Sequence, residues 1–382
     1  MKVSNLCSAF LLIILHFSAI GQTQVESSIM HDGIERTFII YVPDSYQDSE
    51  AVPLVINYHG LTSNSFDQMF YGDFRPIADR ENFIIVHPQG TLNGDDVTYW
   101  NAQFDPNGVD DIGFSAALID SLSARYNIDA KRVYSTGMSN GGFMSYTLAC
   151  ELSDKIAAIA SVTGSMTTVQ ARMTCDPANV CPIMQIHGTD DSVVPYEGQQ
   201  FLASIDEVMT FWANQYNCNT TPEITAVDDS NTIDRSTVER QVYTDCDENS
   251  TLELFKVENG GHTWPGTVFK FGVTNCDINA SEEIWRFFSQ YSLDGNISSV
   301  VTEKNEEKIS LYPTPADERL EIRFSEAGLR HVKIVDLSGQ DILQATTQKT
   351  SLSIDISGFY PGTYILETSY KTKKTFKKFV KI

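Results

Sequence analysis

The sequence has 382 residues, of which 42% are hydrophobic and 20% are charged, so it is long enough for one large domain and an appendage. The formal net charge is -23, and because the residues from Ser310 onward carry 11 basic and 8 acidic side chains, the residues before Ser310 carry -26. A body this acidic repels nucleic acid and anionic lipid, so neither is expected as a partner and a neutral substrate is favoured over a polyanionic one.

The first 21 residues are typical of a secretory signal peptide. Lys2 supplies a positive start, residues 9–15 form an apolar run, and Ala19-Ile20-Gly21 provides a small-x-small cleavage site. The apolar run is too short to span a bilayer, and no later segment approaches the required length, so no transmembrane segment is predicted.

Six cysteines remain once Cys7 is removed with the signal peptide, and an even number in an exported chain indicates disulfides. No Cys-x-x-Cys pair is present, which disfavours a zinc or redox site. Cys218 follows an amphipathic helical pattern and Cys246 ends a strand-like run, so we predict a bridge between them. The other four cysteines allow three pairings, which stay open.

From about Val25 the chain alternates strand-like and helix-like runs, which is typical of an α/β fold with a mainly parallel sheet. Several strand candidates are apolar throughout, as strands buried on both faces are. We therefore predict a doubly wound sheet over residues 23–293. The predicted strands are 37–42, 54–58, 83–87, 133–136, 157–160, 183–186 and 252–257, and the predicted helices are 74–80, 112–126, 143–152, 200–216 and 281–291.

Residues 294–308 are polar and charged, which predicts a linker. Residues 309–382 are predicted to form a small all-β sandwich module that ends in a basic tail. Its predicted strands are 320–324, 332–335, 352–354 and 363–366, with turns at Ser338-Gly339 and Pro361-Gly362.

Gly137-Met138-Ser139-Asn140-Gly141 lies between a predicted strand and a predicted helix, which is the sequence form of a nucleophile elbow. The turn in such an elbow is strained and crowded, so glycines flank the serine. Ser139 is therefore the predicted nucleophile. The alternative is an ordinary glycine-rich turn.

A serine hydroxyl needs a base, and that base needs an acid to orient it and to stabilise its charge. In α/β-hydrolases the chain order is nucleophile, acid, histidine. Of the seven histidines only His262 and His331 follow Asp191, and His331 lies in the appended module, so His262 is the predicted base. The acid is expected in the loop after strand 183–186, where Asp190 and Asp191 are both candidates.

The oxyanion that forms in acyl transfer needs hydrogen-bond donors. One predicted donor is the N–H of Asn140, and the second is the N–H of Leu61 or Thr62 in the loop after strand 54–58. His59 is expected to brace that loop, and Trp264 is predicted to contact the substrate.

No metal and no organic cofactor are predicted. Asp110 and Asp111 open a predicted helix and are interpreted as N-terminal caps. The stretch Asp228-Asp229-Ser230-Asn231 lacks the glycine and the closing glutamate of a calcium loop.

Five stretches, taken together, resemble the secreted esterase family that joins polyhydroxybutyrate depolymerase-like proteins to feruloyl and acetylxylan esterases of carbohydrate esterase family 1. The similarity extends from about Gly33 to Tyr291. It implies an α/β-hydrolase fold with Ser139 as nucleophile and His262 as base. The acid is the fifth residue of the family's His-Gly-x-x-Asp motif, which selects Asp191 over Asp190. The stretches are Arg36 to Pro43 with Pro53-Leu54 and His59-Gly60; Val109-Asp110-Asp111-Ile112-Gly113-Phe114; Arg132 to Gly142; His187-Gly188-Thr189-Asp190-Asp191 with Val194-Pro195-Tyr196; and Gly261-His262-Thr263-Trp264-Pro265-Gly266.

Residues from about Ile309 onward resemble the C-terminal sorting domain of the type IX secretion system of Bacteroidota. The similarity lies in Leu311-Tyr312-Pro313-Thr314-Pro315, Asp336-Leu337-Ser338-Gly339, Gly362-Thr363-Tyr364-Ile365-Leu366 and the basic end, although the family usually has Asn where Thr314 stands. It implies the type IX machinery as a partner and a location outside the cell or on its outer surface. The alternative, a carbohydrate-binding module, is disfavoured because no tryptophan follows Trp285.

These features predict a secreted serine carboxylic-ester hydrolase that acts through an acyl-enzyme. Feruloyl or acetyl esters of plant polysaccharide are the preferred substrates, because an exported enzyme meets its polymer outside the cell. A poly(3-hydroxybutyrate)-type polyester is the alternative substrate. A non-catalytic α/β-hydrolase-fold binding protein and a peptidase are the rival classes. The acyl group depends on the loops around the site, including residues 90–108, whose sequence carries no pattern that we can interpret.

Overall fold

The computed structural model of the chain describes residues 23–296, 309–313, 315–324, 327–336, 341–370 and 373–382. The described residues fall into two compact units, divided between residues 297 and 298. The predicted signal peptide and residues 297–308 of the predicted linker lie outside the described residues. The linker prediction began too early, because Gly295–Asn296 pairs with Tyr291–Ser292 in a hairpin. None of the described helices is long and apolar enough to cross a membrane.

Strands and helices alternate through the larger unit. The strands are β1 (Thr23–His31), β2 (Ile34–Val42), β3 (Val52–Tyr58), β4 (Ile84–Pro88), β5 (Thr91–Leu92), β6 (Thr98–Tyr99), β7 (Ile128–Met138), β8 (Ala158–Val162), β9 (Ile183–Gly188), β10 (Glu223–Ala226), β11 (Thr237–Tyr243), β12 (Leu252–Glu258), β13 (Tyr291–Ser292) and β14 (Gly295–Asn296). The helices are α1 (Ser65–Tyr71), α2 (Arg75–Glu81), α3 (Asp111–Ser123), α4 (Asn140–Glu151), α5 (Ile205–Gln215) and α6 (Ala280–Phe288). A π-helical turn spans Gln170–Thr174, and a 3-10 turn spans Asp247–Asn249.

Ten of these strands form one sheet in the order β1-β2-β4-β3-β7-β8-β9-β12-β11-β10. The six strands from β4 to β12 are parallel, and the strands at both edges are antiparallel. The parallel strands β3, β4, β8 and β9 are buried along their whole length, because helices cover both faces. The predicted α/β-hydrolase class with a doubly wound, mainly parallel sheet is confirmed.

Two apolar layers enclose the sheet. Leu54 and Ile56 belong to one buried cluster and Val55 to the other, because alternate residues of a strand point to opposite faces. The first cluster includes residues of α3, α4 and α5, and the second includes residues of α2 and α6. This packing fixes the carboxyl ends of the parallel strands, where the loops of the candidate site begin.

Four helix predictions were wrong at their ends. The helix predicted over 112–126 spans Asp111–Ser123. The helix predicted to begin at residue 200 begins at Ile205, because Ser204 caps it by accepting from the Glu207 N–H. The helix predicted to end at Tyr291 ends at Phe288. The elbow helix α4 begins at Asn140, directly after Ser139, instead of at residue 143.

The smaller unit is a β-sandwich, as predicted. One sheet has the order β15-β16-β19 and the other β18-β17-β20-β21, and both contribute side chains to a single apolar cluster. The predicted basic tail is largely a strand, β21, which pairs with β20. The strands are β15 (Ser310–Tyr312), β16 (Arg319–Arg323), β17 (Arg330–Asp336), β18 (Asp341–Thr347), β19 (Ser351–Asp355), β20 (Gly362–Tyr370) and β21 (Lys373–Lys381).

The predicted disulfide Cys218–Cys246 is present. A second bridge joins Cys150 to Cys175, while Cys181 and Cys276 are unbridged. Both bridges close loops in the larger unit.

Candidate active site

Ser139 lies between the end of β7 and the start of α4, with φ 54° and ψ -118°. A positive φ at a residue with a side chain costs free energy and persists only where the surrounding structure enforces it. The neighbouring glycines allow the close packing: a Cβ on Gly137 would lie 2.6 Å from the Tyr58 carbonyl oxygen, and one on Gly141 would lie 2.2 Å from it. The sequence therefore folds here into the strained strand-turn-helix geometry that the motif predicts.

Asp191 and His262 are hydrogen-bonded to each other. The loop after β9 carries Asp191, whose Oδ2 lies 2.7 Å from His262 Nδ1. Its other oxygen accepts from the backbone N–H groups of Val193 and Val194 at 2.8 and 2.9 Å. The neighbouring Asp190 is exposed, and its backbone N–H donates to the Gly260 carbonyl oxygen. The geometry thus favours Asp191 as the partner of His262.

A buried hydrogen-bond chain continues behind Asp191. His187 Nε2 lies 2.8 Å from the Val194 carbonyl oxygen and 3.4 Å from Asp191 Oδ2. The amide nitrogen of Gln185 lies 2.8 Å from His187 Nδ1, and the Tyr146 hydroxyl donates to the Gln185 oxygen at 2.7 Å. Burial lowers the pKa of His187, so the ring is neutral, accepting at Nδ1 and donating at Nε2. Sequence reasoning missed this chain, although His187 opens the motif that contains Asp191.

The loop that carries His262 approaches the Asp191 loop closely. A Cβ on Gly188 would lie 2.1 Å from the Gly260 carbonyl oxygen, so no larger residue fits there. The N–H of Gly261 donates to the Val273 carbonyl oxygen at 3.0 Å, which ties the loop to the chain that follows it.

The prediction that Trp264 contacts the substrate was wrong. Its side chain is 1% exposed and does not line the cavity beside Ser139. The indole packs edge-on against Phe74, and its Nε1–H donates to Ser281 Oγ at 3.2 Å. Trp264 therefore anchors the His262 loop to the core, assisted by its backbone N–H, which donates to the Tyr71 hydroxyl.

The loop after β3 lies against Ser139. A Cβ on Gly60 would be 3.4 Å from the Ser139 Cβ. The N–H groups of Leu61 and Asn140 have no protein acceptor within the described part of the chain. Thr62 is excluded as an oxyanion donor, because its N–H already donates to the Thr98 carbonyl oxygen at 2.9 Å. Leu61 and Asn140 remain as the two available donors.

His59 braces this loop, as predicted. Its Nδ1 lies 2.7 Å from the Gly60 carbonyl oxygen, and its Nε2 accepts from the Gly90 N–H at 2.9 Å. Burial lowers the pKa of His59 to about 4, which keeps the ring neutral.

An apolar cavity of about 680 Å³ contains Ser139 and His262 in its wall. Sequence reasoning missed most of its lining, because the short helix α1 was not predicted. Phe66 and Phe70 lie four residues apart on α1 with ring centroids 5.0 Å apart, a spacing that places both on one face. The aromatic residues of the wall are Phe66, Phe70, Tyr71, Phe269 and Phe271.

The two aspartates before α3 have different roles. Asp110 caps the helix, as predicted, and accepts from the Gly113 N–H at 2.8 Å. Asp111 is not a cap: it forms a buried ion pair with Arg36 at 2.6 Å and accepts from the Asn101 N–H at 2.7 Å. Among the described residues, ligand atoms of His31, Asp32 and Asp110 lie close enough together to hold a metal ion, but none of the three lines the cavity beside Ser139.

The fold and the site geometry define an α/β-hydrolase domain. Residues 46–225 match the family model for phospholipase/carboxylesterase, and residues 310–382 match the model for a secretion system C-terminal sorting domain. The expected similarity to a carboxylesterase family, followed by a sorting domain, is thereby confirmed.

Two curated relatives are 27% identical to this chain. One is a bifunctional acetylxylan esterase/xylanase of Neocallimastix patriciarum, matched over 70% of this chain and 35% of its own length. The other is feruloyl esterase B of Piromyces equi, matched over 59% of this chain and 42% of its own length. The chain thus spans less than half the length of either relative.

Among solved structures, the chain is similar to an acetyl xylan esterase from Aspergillus awamori. The TM-score is 0.52 at 14% identity, over 70% of this chain and 99% of that one. At this identity the similarity supports the fold.

Proposed function

We propose that this chain is an exported serine carboxylic-ester hydrolase whose catalytic residues are Ser139, His262 and Asp191. The observation that carries the proposal is the 2.7 Å bond between Asp191 and His262, together with a cavity whose wall contains both His262 and the strained Ser139. The non-catalytic alternative does not explain why an elbow serine, a histidine and a buried carboxylate all occur here in this order.

In the proposed reaction Ser139 Oγ attacks the ester carbonyl while His262 Nε2 takes its proton. Asp191 accepts from Nδ1–H, which fixes the tautomer and stabilises the imidazolium. The N–H groups of Asn140 and Leu61 donate to the oxyanion. His262 then protonates the leaving alcohol, and water hydrolyses the acyl-enzyme by the same sequence in reverse. No metal or organic cofactor takes part.

An aromatic acyl group, such as feruloyl, is the substrate that we favour. A cavity of about 680 Å³ with five aromatic residues in its wall is far larger than an acetyl group requires. The names of the two curated relatives, an acetylxylan esterase/xylanase and a feruloyl esterase, support a plant-polysaccharide ester. The exposed apolar side chains of Phe269 and Phe271 in the cavity wall keep a hydroxyalkanoate polyester as the second candidate.

The predicted signal peptide and the sorting-domain match support export. We propose that the smaller unit delivers the enzyme through the type IX secretion machinery to the cell surface or beyond it, where polymeric substrate is available.

Covalent labelling tests the proposed nucleophile. A fluorophosphonate probe is expected to add to the wild-type chain, with peptide mass spectrometry placing the adduct on Ser139, and to leave Ser139→Ala unlabelled. Equal labelling of both proteins, or no labelling of the wild type, contradicts the proposal and favours the non-catalytic alternative.

A further inference from the structure

A second cavity of about 670 Å³ lies in the same unit and shares no lining residue with the cavity beside Ser139. Its walls come from residues 101–112, which follow β6, from residues of the 167–174 segment, which follow β8, and from Phe201. The first of these segments overlaps the 90–108 stretch that sequence reasoning left uninterpreted. Ligand sites in α/β folds concentrate at the carboxyl ends of the parallel strands, the edge from which the segment after β8 leaves.

This second cavity lies beside the elbow helix. Trp100, one residue before the cavity wall, exchanges two hydrogen bonds with the Asn140 side chain at 2.6 and 3.0 Å. Phe104 packs on Phe143 with ring centroids 5.5 Å apart, and Gln170 donates to Thr147 at 3.0 Å. Phe143 lies four residues after Ser139, about 6 Å of helical rise. The cavity therefore borders the first two turns of the helix that follows the proposed nucleophile.

The lining chemistry fits a neutral, polyhydroxylated ligand. None of the described residues that line it is Lys, Arg or His. Three are acidic, Asp105, Asp110 and Asp111, and of these Asp111 is paired with Arg36, so the lining disfavours a polyanion. The Thr168 hydroxyl offers a donor and an acceptor for sugar hydroxyls, and the Gln103 amide, whose nitrogen also donates to Glu151 at 2.7 Å, offers its remaining N–H and its oxygen. Phe104 is 46% exposed and Phe201 is 70% exposed, so each presents ring surface to a ligand. An aromatic face is electron-rich and packs well against the C–H face of a sugar ring.

The wall is held rigid before any ligand arrives. The Asn101 amide donates to the carbonyl oxygens of Asp105 and Val109 at 2.9 and 3.0 Å, and its oxygen accepts from the Asp105 N–H at 3.0 Å. A Cβ on Gly108 would lie 2.6 Å from the Asn101 nitrogen, so glycine is needed for this turn. The Asn101 N–H donates to the buried Asp111. A loop ordered in this way loses little conformational entropy on binding.

We propose that this second cavity is a glycan subsite, which binds the neutral polysaccharide chain that carries the ester while the acyl group occupies the cavity beside Ser139. The role of this subsite in positioning an ester rests on the proposed ester hydrolysis. Glycan binding itself requires no reaction at Ser139. Loss of the subsite is therefore expected to weaken action on the polymer and to spare small synthetic esters.

The binding test uses the full chain with Ser139→Ala, which removes the proposed nucleophile. Isothermal titration calorimetry with xylohexaose and with a feruloylated arabinoxylan oligosaccharide is expected to detect binding. Phe201→Ala, at an exposed position, is expected to weaken the binding of both at least fivefold. The double variant Phe104→Ala/Phe201→Ala is expected to weaken the binding of both oligosaccharides further. Ile233→Ala, an exposed apolar residue that does not line this cavity, is the matched control.

The kinetic test uses the same substitutions in the chain with Ser139 intact. We expect the KM for the feruloylated oligosaccharide to rise at least fivefold and the kcat/KM for methyl ferulate to stay within twofold. Unchanged xylohexaose binding in Phe201→Ala and in the double variant, or no binding by the Ser139→Ala parent, overturns the glycan subsite. If the wild type hydrolyses no ester but the parent binds xylohexaose and the variants lose it, the proposed reaction fails and the subsite stands.

Discussion

Replacing Arg36 with methionine is expected to lower the free energy of unfolding of the larger unit by about 3–5 kcal/mol. The Arg36 guanidinium lies 2.6 Å from Asp111 Oδ1, and neither side chain is more than 1% exposed. Methionine retains most of the packing over Phe114 but leaves a buried carboxylate without its cation. Burial already raises the pKa of Asp111, and protonation after the loss of Arg36 relieves only part of this cost.

Urea unfolding followed by tryptophan fluorescence measures this change. All four tryptophans, Trp100, Trp212, Trp264 and Trp285, belong to the larger unit, so the signal reports on that unit. Arg80→Met is the matched control, because the Arg80–Glu282 distance is also 2.6 Å but the two side chains are 51% and 45% exposed. Its free energy of unfolding is expected to fall by only about 0–1 kcal/mol. If Arg36→Met lowers the free energy of unfolding no more than Arg80→Met does, the buried ion pair does not stabilise the fold as we argue.

Three further predictions concern single buried residues. His187→Leu is expected to lower kcat about tenfold and leave KM within about twofold, because it removes an N–H beside Asp191 without altering the cavity; a change in KM alone would count against this positioning role. His87 has no hydrogen-bond partner among the described residues, and burial lowers its pKa to about 3. Its folded pKa lies below the unfolded value of about 6.5, so its stabilising contribution is complete above pH 6.5 and is lost as the pH falls toward 3. Between pH 7 and pH 4.5, the free energy of unfolding of His87→Leu should therefore fall by about 2–3 kcal/mol less than that of the wild type. Urea titrations at both pH values measure the two decreases, and equal decreases would refute this. Trp264→Ala is expected to lower the free energy of unfolding by about 3–5 kcal/mol and leave the KM for p-nitrophenyl acetate within about twofold; a large rise in KM at unchanged stability would restore the substrate-binding role.

The elbow could be predicted because its chemistry is local. Glycines are required around Ser139 by contacts within a few residues, and the strand and helix that flank it have clear apolar patterns. The order of Asp191 and His262 along the chain follows from the fold class. The antiparallel edge strand β10 was missed because all four of its residues are exposed, so it lacks the apolar signal of a buried strand.

The remaining errors concern contacts between segments far apart in sequence. The choice between Leu61 and Thr62 as oxyanion donor required knowing that the Thr62 N–H donates to the carbonyl oxygen of Thr98, which lies on a later hairpin. Trp264 lies two residues from His262, yet its side chain faces Phe74 and Ser281. Asp111 resembled a helix cap until its partner, Arg36 on β2, was known. The aromatic cavity depends on α1 and on a loop after His262, whose proximity no local pattern encodes.

The rate of ester hydrolysis by wild type and Ser139→Ala tests the central claim most directly. Methyl ferulate and p-nitrophenyl acetate are the substrates, and Ser49→Ala, an exposed serine before β3 at the opposite end of the central strands, is the control. We predict measurable turnover by wild type and by Ser49→Ala, and a loss of at least about a thousandfold in kcat for Ser139→Ala. Hydrolysis by Ser139→Ala at the wild-type rate would contradict the account.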